Sequence, residues 1–100
     1  MAEYTVDIQA DGHYRVAGEL TFETVPEIWQ KHERFAGSGE SVTVDLADVT
    51  RADSAGLVLL VEWMRAANNQ KKQIVFRNIP GQLLAIARVS NLDALLPLQQ

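Results

Sequence analysis

The stretch Val42–Arg65, VTVDLADVTRADSAGLVLLVEWMR, decides the fold. Val42, Val44 and Leu46 alternate with polar residues at the period of a strand, a short acidic loop is expected to follow, and an apolar pattern of helical spacing begins at Leu57. A strand that feeds a helix this directly belongs in the interior of a parallel sheet. Between the two lies Asp53-Ser54-Ala55-Gly56, at the point where a first helical turn leaves backbone N–H groups unpartnered and the helix dipole favours negative charge. The helix should run to about Asn68. Asn68 to Lys72 is a polar connection, and Ile74-Val75-Phe76 reads as a second strand, parallel to the first through a right-handed crossover.

Before this unit, Tyr4, Val6 and Ile8 alternate, Asp11-Gly12 supplies a turn dipeptide, and His13 to Ala17 returns, which predicts an antiparallel hairpin. Val25, Ile28, Trp29, His32 and Phe35 recur at helical spacing and predict a helix over 24–35. Thr24 is its expected N-cap, Pro26 falls in its first turn, and Gly37-Ser38-Gly39 is expected to end it. After the second parallel strand, Pro80-Gly81 introduces a short helix whose buried side is assigned to Leu83, Leu84, Ile86, Ala87 and Val89. A Leu95-Leu96-Pro97 tail closes the chain. The order predicts one α/β domain over residues 1–100, with a mixed, mostly parallel sheet, an N-terminal antiparallel hairpin and about three helices.

The composition bounds function. A chain of 100 residues with 47% hydrophobic residues supports one core and leaves no room for a second module. A net charge of −4 disfavours a phosphate-backbone or anionic-membrane partner, which needs clustered Lys and Arg. The absence of cysteine removes disulfides, thiolate metal sites and thiol nucleophiles, and fits a reducing compartment. Met1-Ala2-Glu3-Tyr4 has neither a basic flank nor an apolar run, so no signal peptide is expected. No stretch reaches the roughly 18 apolar residues of a membrane span.

Asp53-Ser54-Ala55-Gly56 has a plain structural reading, in which Asp53 or Ser54 caps the helix and Gly56 lets the first turn pack closely. A second observation points beyond it. The following helix carries more apolar residues than one face can bury: Leu57, Leu60, Val61 and Met64 form one side, read as core. Leu59 and Trp63 point elsewhere, and Val58 with Glu62 lies on the flank running from Ser54. Trp63 can be covered by a neighbouring element or be part of a surface. The strip Ala55-Val58-Leu59-Glu62, apolar and rimmed by polar residues beside the loop, is expected to be exposed and to bind another protein.

Val44-Asp45-Leu46, Val49 and Asp53-Ser54-Ala55-Gly56-Leu57, with Gly18-Glu19-Leu20 before them and Asn78–Arg88 after, resemble the STAS domains, named after sulfate transporters and anti-sigma factor antagonists. With Leu59-Leu60-Val61-Glu62-Trp63, the resemblance is greatest to the small STAS subunit of the Mla phospholipid transporter. It implies a non-catalytic cytoplasmic subunit, peripheral to the inner membrane through its partner, that binds the ATPase of an ABC complex maintaining outer-membrane lipid asymmetry. The implied contact is Asp53, Ser54, Ala55 and Gly56 with Val58, Leu59 and Glu62. The alternative it implies is an anti-sigma factor antagonist switched when a kinase partner phosphorylates Ser54. Such antagonists carry an Asp where this chain has Thr21, which favours the transporter reading.

Other chemistry is weakly signalled. His13 and His32 have no acidic or second His partner at ligand spacing, and Asp45, Asp48 and Asp53 are each explained by turns or caps, so no metal site is expected. Gly37-Ser38-Gly39 follows a helix, not a strand, and is no phosphate loop. A nucleophilic role for Ser54 would need a base and an oxyanion hole that the sequence does not place. No enzyme, cofactor, nucleic-acid contact or direct membrane insertion is expected. A small-ligand domain using the loop as an anion site has only backbone N–H groups to support it.

Overall fold

A computed structural model describes residues 2–10, 12–37 and 39–99. Strand β1 (Tyr4–Ala10) turns through Gly12 into β2 (His13–Leu20), and α1 (Val25–Lys31) leads to β3 (Ser41–Ala52). Helix α2 (Ser54–Asn69), β4 (Gln73–Arg77), α3 (Gly81–Val89) and the two-residue β5 (Leu98–Gln99) follow. The strands lie in chain order, β1-β2-β3-β4-β5. β1 is antiparallel to β2, and every later pair is parallel. Sequential right-handed crossovers put all three helices on one face. The core lies between that face and the helices, around Val16, Leu20, Val44, Leu46, Leu60 and Phe76.

The mixed, mostly parallel sheet with its hairpin and three helices is the expected architecture. Of the turn dipeptide, Asp11 lies outside the described residues; Gly12 has φ +74°, as a tight hairpin turn requires. The β5 strand has no counterpart in the sequence reading, because two residues carry no periodicity.

The opposite face of the sheet carries no helix and is held open by charge. Cross-strand register places Asp7, Arg15, Asp45 and Arg77 in one row, alternating in sign across four strands. Arg15 also reaches Asp48 at 2.7 Å. The row keeps that face wet while the other is buried. Asp45 is the best anchored of the row. Its Oδ1 accepts from the Asn78 amide at 3.0 Å and from the Ala47 N–H at 2.9 Å, and these two bonds, in that order, hold its carboxyl below the usual range.

A depressed carboxylate stabilises the fold above its ordinary pKa, and that contribution is lost as pH falls through the folded value. Asn78 has φ +56°, so Asn78→Gly removes the amide without straining the backbone. The variant should lose about 0.5–1 kcal/mol near neutral pH, a figure lowered for solvent screening. Urea titrations should show the gap from wild type closing as pH drops below about 4. A gap independent of pH would assign Asn78 a purely conformational role.

Two helices differ from expectation. Helix α1 ends at Lys31, before the expected Gly37-Ser38-Gly39 stop, of which Ser38 is not described. Phe35 is nevertheless buried, because the chain beyond α1 is held by three side chains. Trp63 Nε1 donates to the His32 carbonyl at 2.9 Å, Gln70 bonds both backbone groups of Phe35, and the Ala36 N–H donates to the Tyr14 hydroxyl at 2.7 Å. Tertiary bonds thus replace the helical ones. Thr24 holds the expected N-cap position of α1, but its side chain makes no capping bond: the hydroxyl donates to the Glu19 carbonyl at 2.6 Å and accepts from the Thr21 N–H at 3.0 Å.

In α3, Leu83 and Ala87 are buried and Leu84 and Ile86 half-buried. Val89, assigned to the buried side, is 87% exposed. It is the last residue of α3.

Candidate functional site

The corner between β3 and α2 is built by one carboxylate. Asp53 is extended, with φ −128° and ψ −167°, and occupies the N-cap of α2. Its Oδ1 accepts from the Ala55 N–H at 2.9 Å, satisfying one of the orphan donors of the first turn. Its Oδ2 accepts from the Phe22 N–H at 3.2 Å, and its own N–H donates to the Leu20 carbonyl at 3.1 Å. The cap therefore also ties α2 to the turn after β2. From the other side, Gln82 Oε1 at the start of α3 accepts from the Ala52 N–H at 3.0 Å.

That bonding frees Ser54. Asp53 caps the helix, and Ser54, its first residue, is exposed. Gly56 supplies the close approach: a Cβ there would stand 2.9 Å from the Leu20 carbonyl oxygen and 3.1 Å from both Leu20 Cβ and Leu83 Cδ2. Only a residue without a side chain lets the start of α2 sit this near β2 and α3.

The expected apolar strip is narrower than the sequence reading has it. Ala55 and Leu59 are 6% and 1% exposed, and Gly56 is buried with them, so these three residues face the molecule's own interior. Trp63 is also buried. The reason is tertiary: α2 contacts α1 on one flank and α3 on the other, with the sheet beneath. Three neighbours bury far more than the single stripe an isolated amphipathic helix needs, and a helix apolar on most sides is the result. What remains outside follows the i, i+4 path: Ser54, Val58 at 57% exposure and half-buried Glu62, whose carboxylate reaches Arg65 at 3.7 Å. Val61 and Met64, assigned to the core, are only half-buried.

Beside this path stands a residue the sequence reading did not single out for binding. Phe22 is 70% exposed, and its backbone is bonded to Asp53. Glu19, Thr21, Phe22, Glu23, Arg51 and Asp53 line a small concavity at the corner. The signal in the sequence was a bulky aromatic between two threonines in a turn, where a core residue has no place.

The remaining candidates are occupied elsewhere. Asp45 and Asp48 belong to the open sheet face, away from Asp53, and their carboxylates are engaged by Asn78 and Arg15. His13 is exposed in β2. His32 caps the end of α1, where burial, and then the charge of Lys31, push its pKa down. Among the described residues no cluster of three or more His, Cys, Asp or Glu is placed to hold a metal ion. Among them, too, no helix is long and apolar enough to cross a membrane.

Residues 5–97 match the family model described as the MlaB STAS domain. The intermembrane phospholipid transport system binding protein MlaB of Escherichia coli strain K12 is 25% identical over 95 residues, covering 94% of this chain and 95% of that protein. The MlaB protein of Shigella flexneri aligns equally well. Among solved structures, the unphosphorylated anti-sigma factor antagonist SpoIIAA superposes with a TM-score of 0.73 at 17% identity, over 98% of this chain and 89% of that one. An anti-sigma factor antagonist from Mycobacterium paratuberculosis gives 0.68 at 20% identity, over 96% and 85%. At these identities the two structures speak for the fold.

Proposed function

Because the chain belongs to the STAS family, in its MlaB branch, we propose that it is a non-catalytic subunit that docks on the ATPase of a phospholipid-transporting ABC complex. Its site is the corner of Asp53 and Ser54 with the exposed path through Val58 toward Glu62. Ala55, Gly56 and Leu59 serve that site from beneath, as the packing that holds the corner in place. The chain works on the cytoplasmic side of the inner membrane, reached through its partner, and takes no cofactor.

The observation that carries this reading is the exposure of Ser54 and Val58, one turn apart on a helix otherwise packed on its other sides. Support also comes from the near full-length alignment with a protein of intermembrane phospholipid transport. Docking of this kind regulates by binding the ATPase's conformations unequally, which biases their equilibrium while chemistry stays with the ATPase.

The second reading is an anti-sigma factor antagonist controlled by phosphorylation of Ser54. An exposed hydroxyl at a helix N-terminus would accept the added charge of about −1.5 to −2 without loss of fold. Thr21 speaks against it. It is buried, and its hydroxyl accepts from the Glu23 N–H at 3.3 Å, so it acts within the turn where antagonists carry an acidic residue.

Ser54→Glu separates the readings from each other and from simple capping. Asp53 provides the cap, so the variant's thermal midpoint should stay within about 2 °C of wild type. Its affinity for the purified transporter ATPase, measured by calorimetry, should fall at least about tenfold. Loss of folding stability with affinity intact would make Ser54 a structural residue. Phosphorylation of Ser54 by a serine-kinase anti-sigma factor, with no binding to the ATPase, would establish the antagonist instead.

A further inference from the structure

Phe22 is a side chain the fold does not use, held by a turn the fold has made rigid. The residue is 70% exposed, while the threonines around it, Thr21 and Thr24, are 6% and 3% exposed. The turn's polar groups are tied: the Thr21 carbonyl accepts from the N–H groups of Thr24 and Val25 at 3.1 and 2.9 Å. The Thr24 hydroxyl spans from the Thr21 N–H to the Glu19 carbonyl, and the Phe22 N–H is held by Asp53. The backbone that carries the ring is already ordered, so binding would take from this segment only the rotamer freedom of the side chain. Aromatic side chains of this kind dominate the small set of residues that carry interface energy.

The charges around the ring point to what would receive it. Glu19, Glu23 and Asp53 surround the concavity with Arg51, and Arg51 pairs with Glu19 at 3.8 Å. Glu23 and Asp53 remain as a negative surplus beside the ring. We propose that Phe22 is the anchor of the partner interface, inserting into an apolar socket on the ATPase whose rim carries Lys or Arg. The inference rests on the docking reading above and adds to it the residue that sets affinity and the chemistry of the surface that accepts it. Ser54 and Val58 then form the flank of the contact, with Phe22 at its centre of energy.

The test is calorimetric binding of the full chain to the purified ATPase subunit, comparing wild type, Phe22→Ala, Glu23→Lys, Ser54→Glu and Val89→Ala. Val89 is the control for an exposed apolar side chain elsewhere on the surface. Phe22→Ala should weaken binding by about 30-fold or more with an unchanged thermal midpoint, and Val89→Ala by less than about twofold. Glu23→Lys should weaken binding and reduce its salt dependence. If Phe22→Ala binds within about twofold of wild type while Ser54→Glu is at least tenfold weaker, the anchor is overturned and the docking reading stands. Equal losses for Phe22→Ala and Val89→Ala also overturn it, since the contact would then be unspecific. A wild-type chain that does not bind the ATPase overturns the docking reading and the anchor with it.

Discussion

Trp63→Ala is expected to cost about 3–5 kcal/mol, a large part of the roughly 5–15 kcal/mol that holds a domain of this size together. The indole is 1% exposed and fills the space between α2 and the segment that follows α1. Its ring lies 6.1 Å from that of Phe35, which in turn meets Tyr14 edge to face at 5.4 Å. Its Nε1 is the donor for the His32 carbonyl, so truncation leaves both a cavity and an acceptor without its partner. Trp63→Phe isolates the second effect. It keeps much of the volume, loses the donor, and should cost about 1–2 kcal/mol beyond the cavity term. Chemical denaturation of the three proteins measures both. A loss under about 1 kcal/mol for Trp63→Ala would mean that the indole is not the wedge holding the end of α1.

Gly56→Val is expected to be the most damaging change near the candidate site. A Cβ at residue 56 would meet the Leu20 carbonyl at 2.9 Å, and that carbonyl cannot retreat freely because it accepts from the Asp53 N–H at 3.1 Å. Overpacking of this kind costs typically 1–3 kcal/mol, and the branched methyls of Val place the loss near or above the upper end, at about 3 kcal/mol. Gly56→Ala sets the clash against a gain of up to about 1 kcal/mol in helix propensity, and should still be net destabilising by about 1 kcal/mol. Relief of the clash must move the start of α2 away from β2. The Asp53 carboxylate then loses the Phe22 N–H, so partner affinity should fall with stability. Thermal denaturation of the Ala variant decides the matter, since a more stable Gly56→Ala would show that the approach is looser than the distances indicate.

The two substitutions also mark where a reading of residues alone stops. Helix and strand periodicity located α2 to within a residue of its end and found β1 to β4, because a pattern of burial repeats every two or 3.6 residues whatever the neighbours are. It stopped β2 and β3 short: they run on to Leu20 and Ala52, and the acidic loop expected before α2 is strand, paired with β2 where the apolar alternation has ended. The same periodicity assigned α2 one buried stripe and so put Leu59 outside. Periodicity reports the direction of a side chain from its own axis and carries no information on how many other elements surround that axis. Phe35 was recognised as core, yet by a helix that stops short of it, since a tertiary bond from Trp63 to a backbone carbonyl has no signature in local sequence. Phe22 has no signature either, because one exposed aromatic in a turn makes no pattern.

The alternation of Val42, Val44 and Leu46, the helical spacing after Leu57 and the Asp53-Ser54-Ala55-Gly56 junction were enough to establish the parallel α/β architecture and the position of the corner between β3 and α2, because each is a local consequence of backbone geometry. Which side chains of that corner meet solvent was settled only when α1 and α3 closed over the flanks of α2. Exposure is a property of what lies across from a residue, and across from Leu59 and Trp63 lies chain that is distant in sequence.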